Sequence, residues 1–177
     1  MSGCKLTEGA LAFTFAPGAI AGHYDRWSFY RNQFQNGCAQ DNMAVDLVCR
    51  FRQESWLIEV KDYRHHARTK AIDLADEVAT KARDTLAGLV AARCNANDAK
   101  ERDLARRLLS AERIRVVLHL EQPVIKSRLY PRGIIEPDKL TQKLRCKLKA
   151  LDPHPMIAST RNPAPGAPWN VQRNGDI

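Results

Sequence analysis

The chain has 177 residues, of which 44% are hydrophobic and 27% charged. That is enough for one buried core and too little for two full domains. Its 28 lysines and arginines outnumber 20 acids and leave a net charge of +8, which favours an anionic partner, nucleic acid first. No apolar run approaches the about 20 residues needed to span a bilayer. Five widely spaced cysteines with no Cys-x-x-Cys pair argue against a disulfide framework or a zinc site and read as reduced, mostly buried thiols of a cytoplasmic protein.

In chain order, the stretch from Gly9 to Ala21 reads as a first strand followed by a turn. Its likeness to a secretory signal fails at Glu8, Thr14, Pro17 and Gly18. Between Gly22 and Gln35, Trp27, Tyr30 and Phe34 recur at helical spacing, with Asp25 as a cap. These aromatics serve either as a platform for nucleic acid or as the inner face of a short helix over a sheet. Met43 to Lys61 reads as a β-hairpin with a polar turn at Arg52-Gln53-Glu54-Ser55. Period-two alternation puts Leu57, Glu59 and Lys61 on one face of its second strand, opposite Trp56, Ile58 and Val60, and Asp46 comes to the same spot if the register matches.

Two carboxylates at one place repel unless a divalent cation lies between them, and oxygen ligands suit Mg²⁺, with Mn²⁺ as substitute. Asp46, Glu59 and the Val60 carbonyl would hold the metal, and Lys61 would orient or deprotonate its water. The competing reading makes Glu59 and Lys61 an ordinary surface ion pair, worth about 0 to 1 kcal/mol. Against that, both charges close the apolar run Trp56-Leu57-Ile58, a costly place for an unpartnered charge.

The segment after Lys61 is a cationic loop in which Arg64, Arg68 and Lys70 suit phosphate contacts, while His65-His66 reads as solvated. A long helix follows from about Asp73 to Arg93, capped by Asp73, with Ala75, Val78, Ala82, Leu86, Leu89 and Val90 inward. Glu77 and Lys81 on it are either polar additions to the site or an i,i+4 pair on the solvated face, the latter favoured by their spacing. A charged outer helix runs to about Ser110, and Ile114 to Leu120 reads as a central strand that puts His119 and Glu121 on one face. Lys126, Arg128 and Arg132 with Tyr130 lie in a proline-flanked loop. A helix from about Asp138 to Leu151 carries a lysine stripe, Lys139, Lys143 and Lys147, for phosphate tracking or for solubility. His154 to Ser159 suits an edge strand. The Pro- and Gly-rich stretch 161–177 reads as an irregular tail on a single domain, 1–160.

At Asp46 and Glu59-Val60-Lys61, with twelve residues between the acids, the chain resembles the PD-(D/E)XK superfamily of restriction endonuclease-like nucleases. Val45 stands where the family often has proline, and no residue matches its third acid clearly, Asp25 and Glu8 being the nearest candidates. The resemblance implies an α/β fold whose restriction endonuclease-like core is a central mixed sheet of four to five strands flanked by helices. It also implies a Mg²⁺-dependent nuclease with Asp46, Glu59 and Lys61 as catalytic residues, acting on DNA rather than RNA, as a homodimer or in a larger assembly. The alternative is an inactive module of the same fold that binds nucleic acid.

Overall fold

A computed structural model describes residues 3–123 and 134–174. Two sheets and three helices form three layers. The main sheet has the order β3-β4-β5-β6-β7, built from Ile20–His23, Leu47–Phe51, Glu54–Asp62, Arg113–Glu121 and Met156–Ala158. Strands β3, β4 and β5 are antiparallel, while β6 and β7 run parallel to β5. It is thus an α/β fold with a mixed five-stranded sheet, as the sequence suggests. Helices α1 (Leu74–Asn95), α2 (Ala99–Leu109) and α3 (Pro137–Leu148) cover one face. The other face is covered by a small sheet of β1 (Lys5–Glu8), β2 (Leu11–Phe15) and β8 (Trp169–Arg173).

Alternation along the strands divides the core as the period of two requires. Val48, Leu57, Val116, Leu118 and Leu120 face the helices. Leu47, Cys49, Trp56, Ile58 and Val117 face the small sheet, where Leu11, Phe13, Phe15 and Trp169 meet them. The hairpin is tighter than its polar run suggests: Phe51 pairs with Glu54, so Arg52 and Gln53 alone make the turn, with Arg52 at φ +50°.

Several expectations need correction. The tail at 161–177 is not wholly irregular, because Trp169–Arg173 pairs with β2 from Phe15↔Trp169 to Leu11↔Arg173. Trp169 sits edge-on to Trp56 at 5.2 Å, so indole burial supplies what a Pro- and Gly-rich composition does not. The stretch around Tyr30 is a 3₁₀ turn (Tyr24–Arg26) followed by a π turn (Tyr30–Phe34), and its aromatics are all buried. They are core, not a platform. Val90, expected inward, is 56% exposed. Of the five cysteines, all free, only Cys49 is buried, and Cys38, Cys94 and Cys146 are exposed. Among the described residues no helix is long and apolar enough to cross a membrane.

Candidate functional site: a carboxylate–lysine cluster beside a cationic groove

Helix α1 fixes the entry of Asp46 into the sheet. Asp73 caps α1 by accepting from the Ala75 N–H at 2.8 Å, and further along Asp84 and Thr85 accept the Met43 and Val45 N–H groups at 3.0 Å each. With Leu47 opposite Ile58, Asp46 lies across from Glu59, and its Oδ2 accepts the Val60 N–H at 2.7 Å. The expected register therefore holds, and Asp46, Glu59 and Lys61 are brought together.

Two further residues join them that alternation on the hairpin cannot supply. Lys81 Nζ lies 2.6 Å from Glu59 Oε1 and 3.9 Å from Asp46 Oδ1. Lys61 Nζ lies 2.7 Å from Glu59 Oε1 and 3.1 Å from Glu77 Oε1. Glu77 and Lys81 are thus not paired with each other on a solvated face, as their spacing suggested. Both turn onto the sheet, and Glu77 and Glu59 are fully buried. The signal for this was present in α1: Ala82, Thr85, Gly88 and Ala92 are small and buried, marking the side where the helix lies close enough to the sheet for Glu77 and Lys81 to reach it.

Burial and charge displace the acids in opposite directions. Loss of solvent, reinforced by Asp46, outweighs Lys81 and Lys61 and pushes the Glu59 carboxyl up to about 7. Burial opposes ionisation of Glu77 as well, but hydrogen bonds from Lys70 and Arg68 and the charge of Lys61 overcome it and hold the carboxyl at about 2. Desolvation alone would lower Lys61, yet Glu59 and Glu77 keep its ammonium well above the usual lysine range. The cluster is a network of charges that neutralise one another rather than a set of open ligands. Among the described residues, no three His, Cys, Asp or Glu side chains converge on one point.

His119 and Glu121 lie on the opposite face of the sheet from this cluster, the face that Val117 shares. His119 packs edge-on against Phe13 at 5.3 Å and bonds Glu121 at 2.9 Å. Glu121 in turn accepts the Thr160 N–H at 2.6 Å.

The cations assigned to phosphate contacts separate into two kinds. Arg64 forks onto Asp62, with contacts of 2.8 and 2.5 Å. Arg68 is clamped by Glu77 at 2.7 Å, the Ile72 carbonyl at 2.6 Å and the Tyr63 hydroxyl at 3.0 Å. These two shape the loop instead of extending from it. Lys70, Lys139 and Lys143 keep more than half of their side-chain surface in solvent while pairing with Glu77, Glu136 and Asp73. With Arg68 they rim a groove of about 410 Å³, floored by Ile72, Leu74, Ile135 and Leu140, between the 68–74 segment and α3. Lys147 pairs with Asp76. Lys143 and Lys147 thus meet acids contributed by α1 and its cap, which reading α3 by itself could not show, while Lys139 pairs with Glu136 at the start of α3. Lys126 and Arg128 lie outside the described residues.

Over 156 residues, covering 71% of this chain and 22% of the relative, the sequence is 34% identical to a cysteine–tRNA ligase of Neisseria meningitidis serogroup A / serotype 4A (strain DSM 15465 / Z2491). The chain resembles part of a tRNA ligase. That finding overturns the expectation of a phosphodiester-cleaving nuclease, which had rested on a short pattern of three charged residues. Such a pattern is common, and here its members are already partnered by Lys81 and Glu77. The chain spans about a fifth of the length of this relative. No family model and no solved structure matches the chain.

Proposed function

We propose that the chain is an RNA-binding module serving tRNA aminoacylation, and that it takes tRNA along the groove between the 68–74 segment and α3. The observation that carries this reading is the 34% identity to a stretch of cysteine–tRNA ligase, a protein whose name joins cysteine to tRNA. The net charge of +8 supports it, since phosphate neutralisation supplies most of the affinity of non-specific nucleic-acid binding. The reading moves the expected nucleic acid from DNA to RNA.

Charge placement in the groove fits that role. Lys70 reaches the buried Glu77 carboxylate, whereas Lys139 and Lys143 are held in exposed ion pairs that contribute little in water. A phosphate chain can therefore take over Lys139 and Lys143 at little cost. The apolar floor offers a place for an unstacked base, because single-stranded RNA presents faces as well as phosphates. The strand order and the acid and lysine positions support a restriction endonuclease-like core as the scaffold, with the charged cluster kept as structure.

Fluorescence anisotropy with a cysteine tRNA transcript, an unrelated tRNA and a DNA duplex of equal length tests the proposal. Tight, salt-sensitive binding of tRNA over duplex DNA, weakened in Lys139→Ala/Lys143→Ala, is expected. Equal affinity for the duplex, or no tRNA binding, refutes it.

A further inference from the structure

We infer that Lys81 is a built-in cation, standing where a divalent metal would otherwise bridge Asp46 and Glu59, and that the cluster is complete without metal. Two carboxylates facing each other at one end of a hairpin require a positive charge between them. The structure supplies it from the neighbouring helix: the Lys81 ammonium is 2.6 Å from Glu59 Oε1 and 3.9 Å from Asp46 Oδ1.

One oxygen of each carboxylate is already engaged at hydrogen-bond distance. Asp46 Oδ2 accepts the Val60 N–H at 2.7 Å. Glu59 Oε1 is approached by two ammonium groups, Lys61 at 2.7 Å and Lys81 at 2.6 Å. Mg²⁺ demands near-octahedral oxygen ligands at about 2.0–2.1 Å, a geometry that an ammonium on the same oxygen blocks. Of the two facing carboxylates, Glu59 Oε2 is buried without a hydrogen-bond partner and Asp46 Oδ1 has the Lys81 ammonium 3.9 Å away, and two acceptors flanking an ammonium fall short of an octahedral ligand set.

Charge balance points the same way. The Lys61 and Lys81 ammonium groups stand beside Asp46 and Glu59, while Glu8 and Asp25, which also act on Asp46, are answered by Arg26. A divalent ion entering between the two carboxylates would meet the Lys81 ammonium and be repelled unless that lysine left first. The residues present therefore do not fit Mg²⁺ while Lys81 holds its place, and removing its ammonium should uncover a metal site.

Isothermal titration calorimetry with Mn²⁺ and with Mg²⁺ tests this on wild type, Lys81→Ala, Lys81→Gln and Lys81→Ala/Asp46→Asn, with circular dichroism on each as a check of folding. Wild type should give no binding heat. Lys81→Ala and Lys81→Gln should bind Mn²⁺ with a saturable heat that wild type lacks, and the added Asp46→Asn should abolish it. If the Lys81 variants lose structure in metal-free buffer, recovery of the native dichroism on adding Mn²⁺ counts equally in favour. Wild-type binding that Asp46→Asn abolishes would overturn the inference. So would folded Lys81 variants that bind no metal, or unfolded ones that Mn²⁺ fails to restore.

Discussion

Glu59 and Glu77 are both sealed from solvent and share Lys61, yet they act on stability in opposite senses. The Glu59 carboxyl is raised from 4.5 to about 7, so the folded state takes up a proton more readily than the unfolded chain. Its contribution is fully present below about pH 4.5 and is lost as pH rises through 7. Glu77, lowered from 4.5 to about 2, contributes above about pH 4.5, and that contribution is lost as pH falls toward 2. For Glu59 the displacement corresponds to about 3 kcal/mol. Glu59→Gln removes its titration while keeping the side chain's size. Denaturation midpoints should therefore show the variant gaining on wild type across roughly pH 4.5 to 7 by an amount on that order. A difference that stays flat with pH would show that Glu59 is ionised throughout and that its two lysines outweigh its burial.

At the level of the element, α1 depends on one residue without a side chain. A Cβ added at Gly88 would lie 1.9 Å from the Tyr24 hydroxyl and 3.1 Å from the Phe34 ring, because the helix approaches the aromatic turns closely there. Overpacking of a tight core typically costs about 1–3 kcal/mol, and Gly88→Ala should lower stability by that order in a urea titration. The worst contact is the Tyr24 hydroxyl, whose oxygen is buried without a hydrogen-bond partner. Tyr24→Phe should accordingly cost little by itself and recover part of the loss in the double variant. Additive losses would mean that the Phe34 ring, not the hydroxyl, resists the new methyl group.

The same helix shows what sequence can and cannot reveal. Local features were legible: the Asp73 cap, the strand alternation, the span of β6, and the meeting of Asp46, Glu59 and Lys61 all follow from spacing within one or two elements. Contributions from elsewhere in the chain were not. Glu77 and Lys81 read as a solvated pair because i,i+4 spacing describes an isolated helix, whereas the small residues beside them set how near the sheet lies. Trp169 was hidden in a composition that suggests a tail, since pairing with β2 depends on a partner about 155 residues earlier in sequence. The lysine stripe of α3 was visible, and the acids that meet Lys143 and Lys147 were not, because they belong to α1 and its cap. Function misled for a related reason: three charged residues at familiar spacing do not reveal which other groups already satisfy them.

Across the molecule, charge is distributed between a closed place and an open one. Lys61, Lys81 and Arg68 are mostly withdrawn from solvent into the cluster, where they stabilise buried carboxylates and have little surface to offer a ligand. Lys70, Lys139 and Lys143 stand at the groove with more than half of their surface exposed. Of these two sets, the second should determine how RNA binding depends on salt. Each lysine that neutralises a phosphate adds about 0.7 to the slope of log affinity against log salt for single strands and about 0.9 for duplex. Measured with tRNA over a range of KCl, the triple variant Lys70→Ala/Lys139→Ala/Lys143→Ala should therefore flatten the slope by roughly 2 to 3. Lys70→Ala also removes a hydrogen bond to the buried Glu77 carboxylate, so circular dichroism on the variant checks its folding before the slope is read. A slope left unchanged in a folded triple variant would place the RNA on another face and separate the groove from binding, even if tRNA remained the preferred ligand.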